Sequence, residues 1–419
     1  MTSRERIKAA CDHKQPDKLP VDFGGGFQTG IHATIVYRLR QSLGLDVPGT
    51  PVKVVEPYQM LGEVKPDLRE ALGADAVSVA GTGTLFGFPA RDFKEWTFHD
   101  GTPMLVPVDF NTNPEPNGDL LQWPEGDRSV APSGRMPARG YFFDSIIRQG
   151  PFDEDNLNPD DNTEEFAVRQ DDEFQLYAQR ANQLYNESDC ALFCSFGGLS
   201  FGDIAEVPAP FLKNPKGIRD IEEWYVSTAI RQEYIEAVFE KQTEIAIQNL
   251  ERLHAAVGEK ISIIQTNGTD FGTQKGPFLS VENYRKVFMP YQKRVNGWIH
   301  ENTGWKTFMH CCGGVWPLLD SFIEAEFDIL NPVQCSAACM SARDLKKTYG
   351  GHFTFWGGGV DTQHVLPFGT PAEVREQVRE RIETFAPDGG FVFCSIHNVQ
   401  ARTPIENLLA MFETIREYR

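Results

Sequence analysis

The sequence predicts an α/β chain of the (β/α)8 (TIM) barrel class, with a long insertion near its amino-terminal third. Two observations carry that expectation. Short β-prone runs recur along the chain with amphipathic helices between them and no clustering of strands. Several runs also lack the strict apolar/polar alternation of a one-sided sheet, as parallel strands covered on both faces do. A doubly wound sheet is the alternative, but no Gly-x-Gly-x-x-Gly fingerprint follows a strand, which removes its usual nucleotide rationale.

Taken in order, the runs are Ala76–Ala80, Ala191–Phe196, Ile261–Thr266, Lys306–Met309, Asp328–Leu330, His352–Trp356 and Phe391–Ser395. Leu19–Phe23 makes an eighth if it counts as a strand. Among the helices, Ile235, Phe239, Ala246, Leu250 and Leu253 keep helical spacing and should lay one stripe on a core. Thr370-Pro-Ala-Glu373 and Thr403-Pro-Ile-Glu406 read as twin helix starts, each with a Thr N-cap, Pro at the first helical position and Glu at the third. The whole chain, 1–419, is expected to be one barrel domain, and 81–190 an insertion that does not keep the βα spacing. That stretch holds the Pro- and Gly-rich run 111–118 and the acidic run Asp153–Glu165, expected as a solvated loop. Long insertions in barrels tend to sit on the active-site face, so a lid or a partner-facing surface is expected there.

Composition narrows the function classes. Forty Lys and Arg against 59 Asp and Glu leave a formal charge of −19, and with a pI near 4.9 the chain lacks the basic stripe that a nucleic-acid backbone requires. The first residues mix both charge signs, and no uncharged apolar run approaches the roughly 20 residues of a membrane span. The expectation is a soluble cytoplasmic protein. Eight cysteines are too sparse for a disulfide scaffold, which leaves thiols that are buried or bound to metal.

The strongest chemical signal is Phe308-Met-His310-Cys-Cys312-Gly-Gly314. Two residues apart at the carboxyl end of a strand, His310 and Cys312 point the same way. At a barrel mouth they would form part of a zinc site, while Cys311 faces the opposite side and should pack. A buried thiol beside a hydrogen-bonded His is the plainer reading, because two ligands are one short of a catalytic zinc site. The third should come from another strand end, where Cys394 and His397 are both candidates. Asp270 and Asp361 each follow a strand within a Gly-bearing loop and should face the same mouth, although Asp is also an ordinary loop former.

These motifs together make the chain similar to the uroporphyrinogen decarboxylase superfamily. The residues that carry the resemblance are Asp270–Pro277, His310-Cys-Cys-Gly313, Asp328–Gln334, Trp356–Gln363 and His397-Asn-Val-Gln400, which run into the Thr403-Pro-Ile-Glu helix start. The closest likeness is to its decarboxylase-like branch beside the corrinoid-dependent methyltransferases. The resemblance implies a (β/α)8 barrel and, from the thiol-directed methyltransferases, one Zn2+ per chain held through His-x-Cys-Gly and a later ligand. Counting back from Thr403, that ligand falls on His397, with Cys394 as the alternative by residue type. It further implies methyl transfer between a small methylated compound or thiol and a corrinoid on a separate protein, with Asp270 and Asp361 orienting groups at the mouth. Homodimers are common in the superfamily. True uroporphyrinogen decarboxylases carry an Arg-rich motif and an Asp at the end of the first barrel strand. Here Val77–Gly81, read as that strand, ends without Asp. A metal-independent decarboxylase or lyase and a non-catalytic small-molecule-binding protein are the rival readings.

Overall fold

The structure, a computed structural model, describes residues 1–419. Its centre is a curled sheet of seven parallel strands: β1 (Ala76–Ala80), β2 (Ala191–Ser195), β3 (Ile261–Asn267), β4 (Lys306–His310), β5 (Ile329–Asn331), β6 (Thr354–Trp356) and β7 (Phe391–Val392), neighbours in chain order. Each expected run supplies one strand, with ends shifted by a few residues at most. The eighth run pairs at one residue only. Val21 bridges Phe393 in parallel, Asp22 N–H donates to Phe393 O at 2.8 Å, and Asp75 N–H donates to Val21 O at 2.7 Å. The Val21 segment thus lies between the two edges of the sheet and closes the barrel. It is also the first barrel strand in chain order, so that strand ends in Asp22, correcting the assignment of Val77–Gly81 to this place.

Alternate residues of the strands fill the barrel. Phe193, Phe308 and Trp356 meet edge to face, with ring centroids 4.7 to 6.1 Å apart. Ala76, Ala191, Ile263, Ile329 and Val392 complete a dry plug below the mouth. The helix with the expected apolar stripe spans Gln232–Val257, and its Ile235, Phe239, Ala246, Leu250 and Leu253 are buried as its spacing requires. Thr370 and Glu373 form the expected capping box. Thr403 does not: its hydroxyl donates to Gln400 O at 2.8 Å, and the helix starts one residue later, at Ile405. A hydroxyl turned back to close the preceding turn is not aimed at the Glu406 amide.

The chain leaves the barrel twice before β2. Val52–Glu56, from the first excursion, pairs in parallel with Pro103–Val106 from the second, and Leu120–Gln122, Gly134–Met136 and Asp144–Ser145 form a separate meander. The helix Asp171–Glu187 then packs on β1, β2 and the Gln232–Val257 helix in the manner of a barrel crossover. Most of the acidic run is exposed, as a solvated loop should be, and a few ion pairs tie it to the chain. Arg219 holds Glu165 at 2.8 Å, and Glu154 and Asp160 pair with Arg231 and Lys241.

His32 joins the two excursions. Its Nε2 donates to Tyr141 O at 2.8 Å, which leaves Nδ1 to accept from Thr34 N at 3.2 Å as the cap of the following helix. Burial lowers its pKa from 6.5 to about 4. Between those values the unfolded chain takes up a proton that the folded chain refuses. The contribution of His32 is therefore complete above pH 6.5 and lost as the pH falls through 4. Urea-unfolding midpoints should decline over this window, and less steeply in His32→Asn, which keeps an N-cap acceptor but does not titrate.

The closure rests on Asp75, which is fully buried. Its carboxylate accepts from Val21 N at 3.0 Å, Ser3 Oγ at 2.7 Å, Arg6 Nη1 at 2.6 Å and Arg419 Nη1 at 2.7 Å. Replacing it by Ala would strand two guanidinium groups and the amide of the closing segment. A loss of about 3–5 kcal/mol is expected from denaturant unfolding.

Candidate metal centre

Two strand ends and the loops that follow them bring the site together at the carboxyl side of the barrel. His310 ends β4, Cys312 follows it by two residues, and His397 lies in the loop after β7. One ligand atom from each lies within 4.8 Å of the other two. His310 Nε2 is 3.5 Å from Cys312 Sγ. Ordinary Zn–S and Zn–N bonds at a tetrahedral angle would hold two such atoms roughly 3.5 Å apart.

The outer nitrogens of both imidazoles are engaged. His310 Nδ1 meets Asn331 Oδ1 at 2.5 Å, and the orientation of that amide is set because Asn331 Nδ2 donates to Trp356 O at 2.6 Å. His397 Nδ1 meets Asn398 Oδ1 at 2.8 Å, while Asn398 Nδ2 donates to Gln59. Both amide oxygens can only accept, so each ring carries its proton on Nδ1 and turns the Nε2 lone pair to the common centre. Burial, followed by the neighbouring His310, lowers the His397 pKa to about 4, which keeps the ring neutral, as a metal ligand must be.

Cys312 has the opposite problem. Burial and then the Asp270 carboxylate raise its pKa well above the ordinary thiol value. With no cation beside it the group stays a thiol, and a bound metal would reverse that balance. Two neutral imidazoles and one thiolate are a donor set suited to a borderline-soft ion such as Zn2+ and fit it with a fourth position open. Cys394, the other sequence candidate, packs with Phe193, Trp356 and Val392 in the barrel plug. It is not in the three-residue cluster. Cys311 points into the core, as its position two-fold out of phase predicts, and its Sγ accepts from Phe271 N at 3.2 Å.

Asp270 supports the strand-end loop: its Oδ1 accepts from Cys312 N at 2.6 Å. The two loops touch through backbone. A Cβ on Gly313, whose φ is +96°, would stand 2.4 Å from the Gly272 carbonyl carbon, so only glycine permits the contact. Asp361 is placed differently. Its carboxylate accepts from Gln363 N at 2.7 Å and lies 3.3 Å from the His364 ring, closing its own turn. Asp22 is saturated by Gly25 N, Thr29 Oγ1 and Trp356 Nε1 at 2.7 to 2.9 Å.

A cavity of about 580 Å³ lies between the barrel mouth and the two excursions, and none of the three triad residues lines it. Gln59, which bonds Asn398, forms part of its wall, and so do Glu56, Asp203 and Glu206. Burial raises the Glu56 and Glu206 pKa values to about 7, and burial followed by the Glu206 charge pushes Asp203 well up. Arg169, on the same wall, is paired with Glu173 at 2.8 Å. None of these wall residues was singled out from the sequence. Asn331 and Asn398 lay inside motifs already noted, and an Asn at the end of a strand next to a His-bearing one was the available signal.

With the geometry in place, the comparisons with known proteins can be read. Residues 212–418, which include every member of the triad, match the family model described as uroporphyrinogen decarboxylase (URO-D). No curated protein matches this chain. Among solved structures, a methyltransferase from Methanosarcina mazei is similar in fold, with a TM-score of 0.56 at 16% identity over 100% of this chain and 99% of that one. The matched residues supply strands β3 to β7 and the triad, while β1, β2 and much of the cavity wall come from residues outside the matched range.

Removing the acceptor behind one imidazole separates positioning from loop structure. Asn331→Ala should weaken Zn2+ binding by about 10- to 100-fold in competition with a chromogenic chelator. Asp361→Asn should leave that affinity unchanged.

Proposed function

We propose that the protein is a zinc-dependent methyltransferase that works with a separate corrinoid protein on a small methylated compound or thiol. The observation that carries this reading is the triad itself: His310, Cys312 and His397 converge, and both imidazoles are held from behind at Nδ1. The methyltransferase of the same fold supports it as an analogy of architecture. These three residues would hold one Zn2+, which as a Lewis acid lowers the pKa of a bound thiol or polarises a bound heteroatom. Asn331 and Asn398 fix the ring orientations, and Asp270 fixes the Cys312 backbone. The role of Asp361 is to shape the turn at Gln363 and His364. The excursions wall the cavity on the side away from the barrel and would exclude water or receive the partner.

A decarboxylase that binds a polycarboxylated tetrapyrrole needs a cationic clamp. The cavity instead has one arginine, already paired, among Glu56, Asp203 and Glu206. Asp22 stands where the resemblance places a substrate-facing carboxylate, but its hydrogen bonds are spent on the chain itself.

Protein purified without chelators should contain about one equivalent of zinc, and His310→Ala should lose it. With methylated corrinoid and a panel of thiols, cobalt demethylation followed by absorbance should be abolished in Cys312→Ala. Zinc content below about a tenth of an equivalent, unchanged in His310→Ala, would overturn the metal assignment. Carbon dioxide release from a carboxylated substrate by metal-free protein would select the decarboxylase instead.

A further inference from the structure

A second chamber, of about 700 Å³, lies on the outer side of β1, between that strand, the helix Asp171–Glu187 and the first excursion. It shares a wall with the 580 Å³ cavity, including Phe27, Val55 and Gly81, and none of the three triad residues lines either space. Its charge is opposite to that of the chain. Lys53, Lys65, Arg69 and Arg180 line it against two carboxylates, Glu63 and Glu187, in a protein whose formal charge is −19.

Two of the four cations are already occupied. Lys53 pairs with Glu63 at 3.2 Å, and Arg180 donates to Gly81 O at 2.9 Å. Lys65 and Arg69 are not. The acids near Lys65, Asp46 and Asp67, are both held by the Arg40 guanidinium at 2.5 to 2.7 Å. The Arg69 side chain lines the chamber without an ion pair or hydrogen bond to the chain. Phe93, Val64 and Leu184 add apolar surface around these groups, and the volume suits a compact organic molecule.

We propose that this chamber binds a small phosphate monoester with an apolar or aromatic body, its phosphoryl oxygens taken by Lys65 and Arg69. Two unpaired cations match a phosphate dianion in charge, and the planar donor fork of Arg suits its oxygens better than a point charge would. The apolar walls would cover the ester group. The proposal uses no residue of the metal centre and stands apart from the methyltransferase reading.

Isothermal titration of the full chain with phenyl phosphate tests it. One saturable site is expected, with inorganic phosphate binding at least about fivefold more weakly because it leaves the apolar walls uncovered. Affinity should fall at least about tenfold in Arg69→Gln and in Lys65→Gln, and should be unchanged in Cys312→Ala. Unfolding midpoints verify that each variant folds, and Lys65→Gln, at a partly exposed position, carries the test if Arg69→Gln does not. No saturable binding at about 1 mM phenyl phosphate, equal affinity in the variants, or equal affinity for phenyl phosphate, inorganic phosphate and succinate would each overturn the assignment.

Discussion

Closing a parallel sheet with one residue of pairing is the constraint on which the molecule depends. Seven strands make continuous ladders, but Val21 alone bridges the gap between β7 and β1. So little backbone pairing cannot hold two sheet edges by itself. Asp75 supplies the remainder: it sits one residue before β1, accepts the amide of Val21, and gathers Arg6 from the amino-terminal helix and Arg419 from the last residue of the chain. Both chain ends are thereby fastened to the seam. A buried carboxylate between two guanidinium groups is stable only as a complete set, which makes the closure cooperative with the docking of the termini.

The seam and the candidate metal centre are joined by one line of hydrogen bonds. Asp22, next to Val21, accepts from the Trp356 indole across the barrel. The Trp356 carbonyl accepts from the Asn331 amide, and Asn331 Oδ1 holds the His310 ring. A second line, from Tyr284 through Gln292 and Asn267, ends on the His310 carbonyl. The ring and its backbone are thus fixed from different sides, and the imidazole is oriented before any ligand arrives. Such preorganisation is what a site with an open position requires.

Charge is divided on the two sides of the wall that contains Phe27, Val55 and Gly81. The cavity nearer the triad has carboxylates whose burial favours their neutral forms, and the outer chamber has cations left without acids. In a chain this acidic, unpaired lysine and arginine side chains facing one chamber are informative because carboxylates to neutralise them are abundant elsewhere. The wall itself is built from the excursions as much as from the barrel.

The sequence by itself determined the class of the fold, because seven β-prone runs and the helical stripe through Ile235, Phe239 and Leu250 report burial that a barrel imposes locally. It also determined that His310 and Cys312 act as a pair, since a separation of two residues at a strand end sets their common direction. It could not decide between His397 and Cys394, which are three residues apart and face opposite environments only once β7 is placed: one ring beside His310, one thiol in the plug. Nor could it reveal Asp75 as the seam, or Glu56, Asp203, Lys65 and Arg69 as the walls of two chambers. Those roles join positions up to 344 residues apart, and no local period encodes a contact made by closing a sheet on itself. Tertiary structure decided them because charge compensation and hydrogen-bond satisfaction are properties of neighbours in space.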